Sequence, residues 1–258
     1  MPTFLFDNIV FGPLKSRRLG VSLGINLLPL DRKFCNFDCI YCECGLNEAG
    51  KGSAHLPSRK EVYDALESKL SIMKGANEIP DVITFAGNGE PTMHPHFSEI
   101  VKDTINLRNI YFPSTNISVL SNSTMLHKSD VMEALKTVDQ NIMKLDSGLL
   151  STIQKLNAPT GEYDVEKIIA QLKSFDGKLI IQTMFTKGDV KGNWIDNTSD
   201  EDLNSLEEAL KTIKPRTLMI YTIDRDTPFQ GLQKISKEAL TQIAKRFELL
   251  GIKVQVSA

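Results

Sequence analysis

Apolar positions along this chain switch repeatedly between two spacings. From Arg59 to Lys74, Val62, Leu66, Leu70 and Met73 recur at helical spacing and share one face. Asp81 to Ala86 (DVITFA) is instead a short β-branched run that ends in a glycine loop. The alternation continues with a helix over Phe97 to Leu107, a strand over Ile117 to Leu120 and a helix over Ser129 to Val138. It then gives a strand over Ile142 to Leu145, a helix over Asp164 to Phe175 and a strand over Lys178 to Phe185. Ser199 to Ile213 reads as a helix with an acidic first turn, and Thr217 to Ile223 as a strand. Ser236 to Leu250 is a helix stopped by Gly251, and Lys253 to Val256 is a last strand. A further strand is expected around Val21 to Leu27.

Strands alternating with helices imply parallel βαβ units with right-handed crossovers. Six or so such units predict an α/β fold, a partial (β/α)6 TIM-like barrel that stays open rather than closing at eight strands. No repeat, low-complexity tract or linker divides the 258 residues, so one domain is expected. Residues 1–28 form its N-terminal extension and 29–45 a cysteine loop. In such barrels reactive groups sit on loops after the C-terminal ends of the strands.

Composition narrows the function. A hydrophobic fraction of 41% is that of an ordinary globular protein, and a formal net charge of −2 provides no global field to attract nucleic acid. The N-terminus lacks a basic stretch followed by an apolar core, and no apolar run is long enough to cross a bilayer. A cytoplasmic protein is expected. All four cysteines lie between positions 35 and 44. In a reducing compartment such a group binds metal or does redox chemistry.

The cysteine segment reads Cys35-Asn-Phe-Asp-Cys39-Ile-Tyr-Cys42, a CxxxCxxC spacing. Thiolates are the natural ligands of iron–sulfur clusters, and three on a four-iron cluster leave one iron open to a small molecule. Two other readings stand beside this one. Positions 35, 39 and 42 would share a helical face as small buried hydrophobes, although Asn36, Phe37 and Asp38 do not suit a helix interior. With Cys44, four thiolates would close a structural zinc site, although paired cysteine spacing does not recur elsewhere.

The spacing, with Tyr41 before the last cysteine, resembles the signature of the radical S-adenosylmethionine (SAM) superfamily. The resemblance implies a [4Fe–4S] cluster on Cys35, Cys39 and Cys42, with SAM chelating the open iron. It implies reductive cleavage of SAM to a 5′-deoxyadenosyl radical that abstracts hydrogen from a substrate. It also implies an electron donor such as flavodoxin or ferredoxin. Tyr41 matches the family position whose backbone meets the adenine. Gly87-Asn88-Gly89-Glu90-Pro91-Thr92, after the DVITFA strand, resembles the glycine–glutamate motif that receives the SAM amino group. Ser121 and Asn122, at the next strand end, match polar positions that touch the SAM ribose or carboxylate, although Ser and Asn also form turns readily.

Lys144 and Asp146 lie at alternate positions of a strand end and point to one face. Inside a barrel they need partners, each other, SAM or substrate; at the rim they would be a solvent-facing pair. Asp146 is assigned with the SAM-binding residues and Lys144 with the catalytic candidates. Thr183, within a later strand, and Asp224, at a later strand end, are further catalytic candidates, although turn chemistry alone explains such residues at strand ends. The stretches 10–45 and 82–96 resemble most the branch grouped with wyosine-type tRNA-modifying synthases. Those carry extra cysteines ahead of the core, whereas none precedes Cys35 here and none follows Cys44, so one cluster is the capacity of this chain.

Three features stand outside these motifs. Lys187 to Thr198, with two glycines and Trp194, is a candidate lid, or a loop that Trp194 merely anchors. Lys15, Arg17 and Arg18 form a compact basic cluster suited to phosphate or RNA, or a solvated charge group. His94 and His96 flank Pro95 and suit acid–base work or loop packing. A zinc-bound interaction protein and a non-catalytic RNA-binding module remain as alternatives to the enzyme.

Overall fold

A computed structural model describes residues 4–47 and 55–258. The first three residues, read above for a leader, lie outside it. The barrel begins with strands β1 (Val10–Ser16) and β2 (Gly20–Ile25), an antiparallel pair. Within the segment expected as an N-terminal extension, β2 is the first parallel strand of the barrel. Then come β3 (Val82–Phe85), β4 (Asn116–Ser121), β5 (Gln140–Lys144) and β6 (Ile180–Val190). The remaining strands are β7 (Asn193–Asp196), β8 (Thr217–Thr222), β9 (Leu232–Lys234) and β10 (Lys253–Ser257). The sheet runs β1-β2-β3-β4-β5-β6-β8-β10, and every pairing from β2 to β10 along that path is parallel. Its two ends, β1 and β10, do not pair among the described residues, so the barrel is partial.

The helices are α1 (Arg59–Gly75), α2 (Phe97–Tyr111), α3 (Ser129–Thr137), α4 (Leu150–Leu156), α5 (Val165–Lys173), α6 (Asp200–Ile213) and α7 (Lys237–Glu248). Helix α1 starts on a reciprocal capping box between Ser58 and Glu61 and buries Val62, Leu66, Leu70 and Met73. Burying each of these large side chains contributes on the order of 1.5–3 kcal/mol before entropy is counted. They join the main apolar layer between helices and sheet, which takes Ile117 and Val119 from β4, Ile181 and Phe185 from β6, and Leu218 and Ile220 from β8.

Strand alternation sends the intervening residues into the barrel. Ile142, Ile180 and Met219 form a separate apolar floor there, with Leu19 and Leu120 packed against it. Leu19 belongs to the β1–β2 turn, so that turn reaches into the barrel interior. The segment proposed as a lid is a β-hairpin. Strand β6 continues beyond the barrel, pairs with β7 across Lys191-Gly192, and pairs with β9. Trp194 is 57% exposed and belongs to a surface hollow beside α4.

The glycine loop closes in a short 3₁₀ turn, Pro91–Met93, followed by buried His94. A His94 ring nitrogen, Nε2, lies 2.9 Å from the Pro57 carbonyl, while Nδ1 accepts from the His96 amide at 3.1 Å. The ring is therefore neutral, with the proton on Nε2. Burial lowers its pKa, opposed by the Pro57 bond and reinforced by His96, to below the ordinary 6.5. A histidine held neutral contributes stability that is full above its unfolded pKa and is lost as pH falls through the folded value. Urea midpoints at pH 7.5 and 5.5 should therefore drop further in the wild type than in His94→Gln. Equal drops would show that His94 is not the titrating group.

Candidate active site

The cysteine loop is built from its backbone outward. Phe34 docks against the glycine loop: its amide donates to the Asn88 carbonyl at 2.8 Å, and its carbonyl accepts from the Glu90 amide at 3.1 Å. Gly89 makes this approach possible. It has φ +144°, and a Cβ there would lie 1.9 Å from the Phe34 carbonyl oxygen. On the other side, the Asp38 and Ile40 amides each donate at 3.0 Å to the Ala158 and Leu156 carbonyls at the end of α4. Asn36 is bonded by Asn122 Nδ2 at 2.7 Å, which ties the loop to the end of β4. The loop is thus bonded to two successive strand ends and to a short helix that the periodicity does not show.

These contacts leave Cys35, Cys39, Cys42 and Cys44 on the wall of one cavity of about 300 Å³. Gly87, Gly89, Glu90, Ser121, Asn122, Lys144 and Tyr41 line the same cavity, and so does Asp224. Asn157, at the end of α4, donates to Cys39 Sγ at 3.4 Å, and Asn122 Nδ2 lies 3.7 Å from Cys35 Sγ. Cys44 instead donates to the Gly87 carbonyl at 3.4 Å. Among the described residues no three His, Cys, Asp or Glu side chains converge as one metal ion requires. Thiols spread around a cavity suit a larger iron–sulfur group better than a single zinc ion.

Burial and neighbouring charges pull the thiols in opposite directions. Burial is the main cause pushing the Cys35 and Cys39 thiols up; Glu90 adds to it at Cys35, and Lys144 opposes it at Cys39. Cys42 is lowered to about 6, chiefly by its neighbour Cys44, against burial and with help from Lys33. Lys33 is 5% exposed, bonded to the Gly45 carbonyl at 3.0 Å and paired with Asp38 at 3.3 Å. Burial alone would lower its pKa, but Cys42, Cys35, Cys39 and Asp38 together outweigh that and raise it. A buried ammonium beside three thiols would offset the negative charge of an iron–sulfur cluster held there. The sequence signal for Lys33 was only its place two residues before Cys35, and Asn157 left none.

The other sequence candidates divide. Asp146 is buried and reaches the cavity only through its neighbours. Its carboxylate accepts from the Tyr41 hydroxyl, from Asn157 Nδ2 at 2.7 Å, from the Met184 amide at 2.9 Å and from Lys144 at 3.4 Å. Lys144 also donates to the Tyr41 hydroxyl at 2.7 Å. Glu90 accepts from the Asn122 amide at 2.6 Å and from Thr92. Burial raises the Glu90 pKa against these bonds. The Asn88 side chain lines no part of the cavity; it bonds Phe6 and the Pro29 carbonyl. Pro91 begins the 3₁₀ turn beneath the loop. Thr183 faces the helices and donates to the Leu145 carbonyl at 2.7 Å. Asp224 sits at the rim, paired with Arg17 and Lys234.

Comparison with known proteins gives the family and the fold. Residues 32–174 match the family model described as the radical SAM superfamily. A Helicobacter pylori protein named "UPF0026 protein" is 32% identical over 93% of this chain and 74% of its own length. A solved radical SAM methyltransferase from Sphaerobacter thermophilus superposes with a TM-score of 0.65 at 14% identity, over 92% of this chain and 65% of that one. The solved archaeal TYW1 gives a TM-score of 0.54 at 13% identity, over 88% of this chain and 71% of that one, a likeness of fold alone. The chain belongs to the radical SAM superfamily, a family of enzymes that use an iron–sulfur cluster and SAM.

Proposed function

We propose that this chain, as one radical SAM domain, holds a single [4Fe–4S] cluster on Cys35, Cys39 and Cys42 and abstracts hydrogen from a substrate in the same cavity. When bound, the cluster and SAM supply reductive cleavage to methionine and a 5′-deoxyadenosyl radical, given a one-electron donor such as flavodoxin or ferredoxin. The observation that carries the reading is the meeting of the three thiols, the Gly87–Glu90 loop and the Ser121–Asn122 strand end on one cavity wall.

The residues divide the work. Glu90 and the loop backbone offer acceptors to the SAM amino group, and the charge-assisted bond adds strength. Ser121 and Asn122 offer donors to its ribose or carboxylate. Tyr41 brings the backbone of the cysteine loop to the adenine, and Asp146 holds Tyr41 and Lys144 in place. Asn88 and Pro91 act indirectly, by fixing the loop. The apolar floor of Ile142, Ile180 and Met219 excludes water from below, as a reactive carbon radical requires. The resemblance of residues 10–45 and 82–96 to the wyosine-type branch supports placing this chain beside it.

Anaerobic reconstitution with iron and sulfide, followed by dithionite and SAM, tests the reading. A brown protein that forms 5′-deoxyadenosine is expected. Colourless protein that retains zinc would overturn it, and salt-dependent tRNA binding without that product would favour an RNA-binding module.

A further inference from the structure

Five cationic side chains line the cavity, and four of them face a carboxylate. Arg17 pairs with Asp224 at 3.4 Å, Lys33 with Asp38 at 3.3 Å, Lys144 with Asp146 at 3.4 Å and Arg225 with Glu43 at 2.6 Å. Arg18 has no such partner among the described residues. Its guanidinium carbon lies 4.3 Å above the Tyr221 ring, and its Nη1 is buried without a hydrogen bond. Its backbone is fixed, because its carbonyl accepts from Gln255 of β10 at 3.2 Å and Leu19 packs into the barrel floor.

A second unmet group lies on the same tyrosine. Gln182 Nε2 donates to the Tyr221 hydroxyl at 3.1 Å, and its Oε1 is buried without a partner. A donor and an acceptor are therefore both left unmet around one ring, inside the barrel. Each is a desolvation cost that a ligand relieves by drawing the side-chain ends toward the cavity. The donor carries a full charge and stacks on an aromatic face, which orients it for a planar, bidentate contact.

We propose that Arg18 and Gln182, joined through Tyr221, form the subsite that anchors the substrate. Arg18 takes an oxyanion, a carboxylate or a phosphate, and Gln182 accepts from a hydroxyl or amine beside it. The substrate class is thus a small acid carrying an adjacent hydrogen-bond donor. Calling the ligand a substrate rests on the function proposed above; the anion binding itself does not.

Calorimetric titration of the reconstituted, SAM-loaded protein tests this with lactate for the carboxylate, glycerol 3-phosphate for the phosphate and glycerol as neutral control. One of the two anions should bind saturably and glycerol should not. Arg18→Met should weaken that anion by about tenfold or more, with Arg18→Lys recovering part of the loss. Gln182→Leu should weaken it by a smaller factor. SAM affinity should stay within about twofold in Arg18→Met, and Lys60→Met, on the outer face of α1, should leave anion binding as it is. The proposal is overturned if neither anion saturates, if Arg18→Met weakens SAM as much as the anion, or if Lys60→Met matches Arg18→Met. Protein that forms no cluster yet binds the anion through Arg18 keeps the subsite and removes the enzymatic reading. Brown, SAM-cleaving protein that binds neither anion does the reverse.

Discussion

Cys39→Ala should yield a colourless, iron-poor protein that forms no 5′-deoxyadenosine above the level of dithionite and SAM alone. Cys39 is buried among Phe37, Ile40 and Tyr41, and Asn157 already orients its sulfur. Its loss removes one of three thiolates and leaves a cluster held at two points. The truncation itself is small, so the iron-free variant should lose only about 1 kcal/mol of stability to urea. That separates loss of the cluster from loss of the fold. Cys44→Ala is the contrast. The Cys44 thiol is bonded to the Gly87 carbonyl, and this variant should keep its colour and its product. Iron content, visible absorption and 5′-deoxyadenosine yield decide the matter. A colourless Cys44→Ala beside a brown Cys39→Ala would mean that the ligands have been assigned to the wrong thiols.

The parts of this site legible in the sequence are those whose chemistry is carried by residue type at fixed spacing. CxxxCxxC is one, and the glycine loop is another, because Gly89 is required where Phe34 approaches. The parts that were not legible depend on register or on distant partners. Gln182 and Thr183 are adjacent in a strand buried on both faces, so alternation alone cannot say which of them faces the cavity. The structure turns Gln182 inward and Thr183 toward the helices. Asn88 sits inside a convincing motif, yet its amide braces Phe6 and Pro29.

The fold shows the same division. The seven parallel strands and the long amphipathic helices follow from periodicity, whereas β1 does not. Its Gly12 and Pro13 break the pattern, and an edge strand tolerates them. The β6–β7 hairpin read as a loop because Lys191 and Gly192 look like linker residues. With φ of +53° and +79°, they form the two-residue turn whose twist suits a hairpin. Helix α4 is too short to show a period, and it carries Asn157 to the Cys39 thiol.

Asp146→Ala should destabilise the iron-free protein by about 3–5 kcal/mol, and Lys144→Met by less, on the order of 1 kcal/mol. The difference follows from what each variant leaves behind. Burial alone would lower the Lys144 pKa, but Asp146, with Tyr221 and Cys39, more than offsets it, so the amine stays charged. Without Asp146 that charge keeps only the Tyr41 oxygen, the Met184 amide loses its acceptor, and Asn157 Nδ2 is left with Cys39 Sγ and the Tyr41 oxygen. Without Lys144 the carboxylate still has the Tyr41, Asn157 and Met184 donors. The double variant should therefore be more stable than Asp146→Ala alone, because removing the stranded ammonium recovers part of its cost. Urea unfolding of the four proteins gives the cycle. Additive losses, or an Asp146→Ala within about 0.5 kcal/mol of wild type, would show that Lys144 and Asp146 are independent. The same network couples stability to function. Tyr41 lies one residue before Cys42, so taking away the acceptor of its hydroxyl loosens the segment assigned to the adenine. SAM affinity should fall in Asp146→Ala by a larger factor than in Lys144→Met, the same order as the two stability losses.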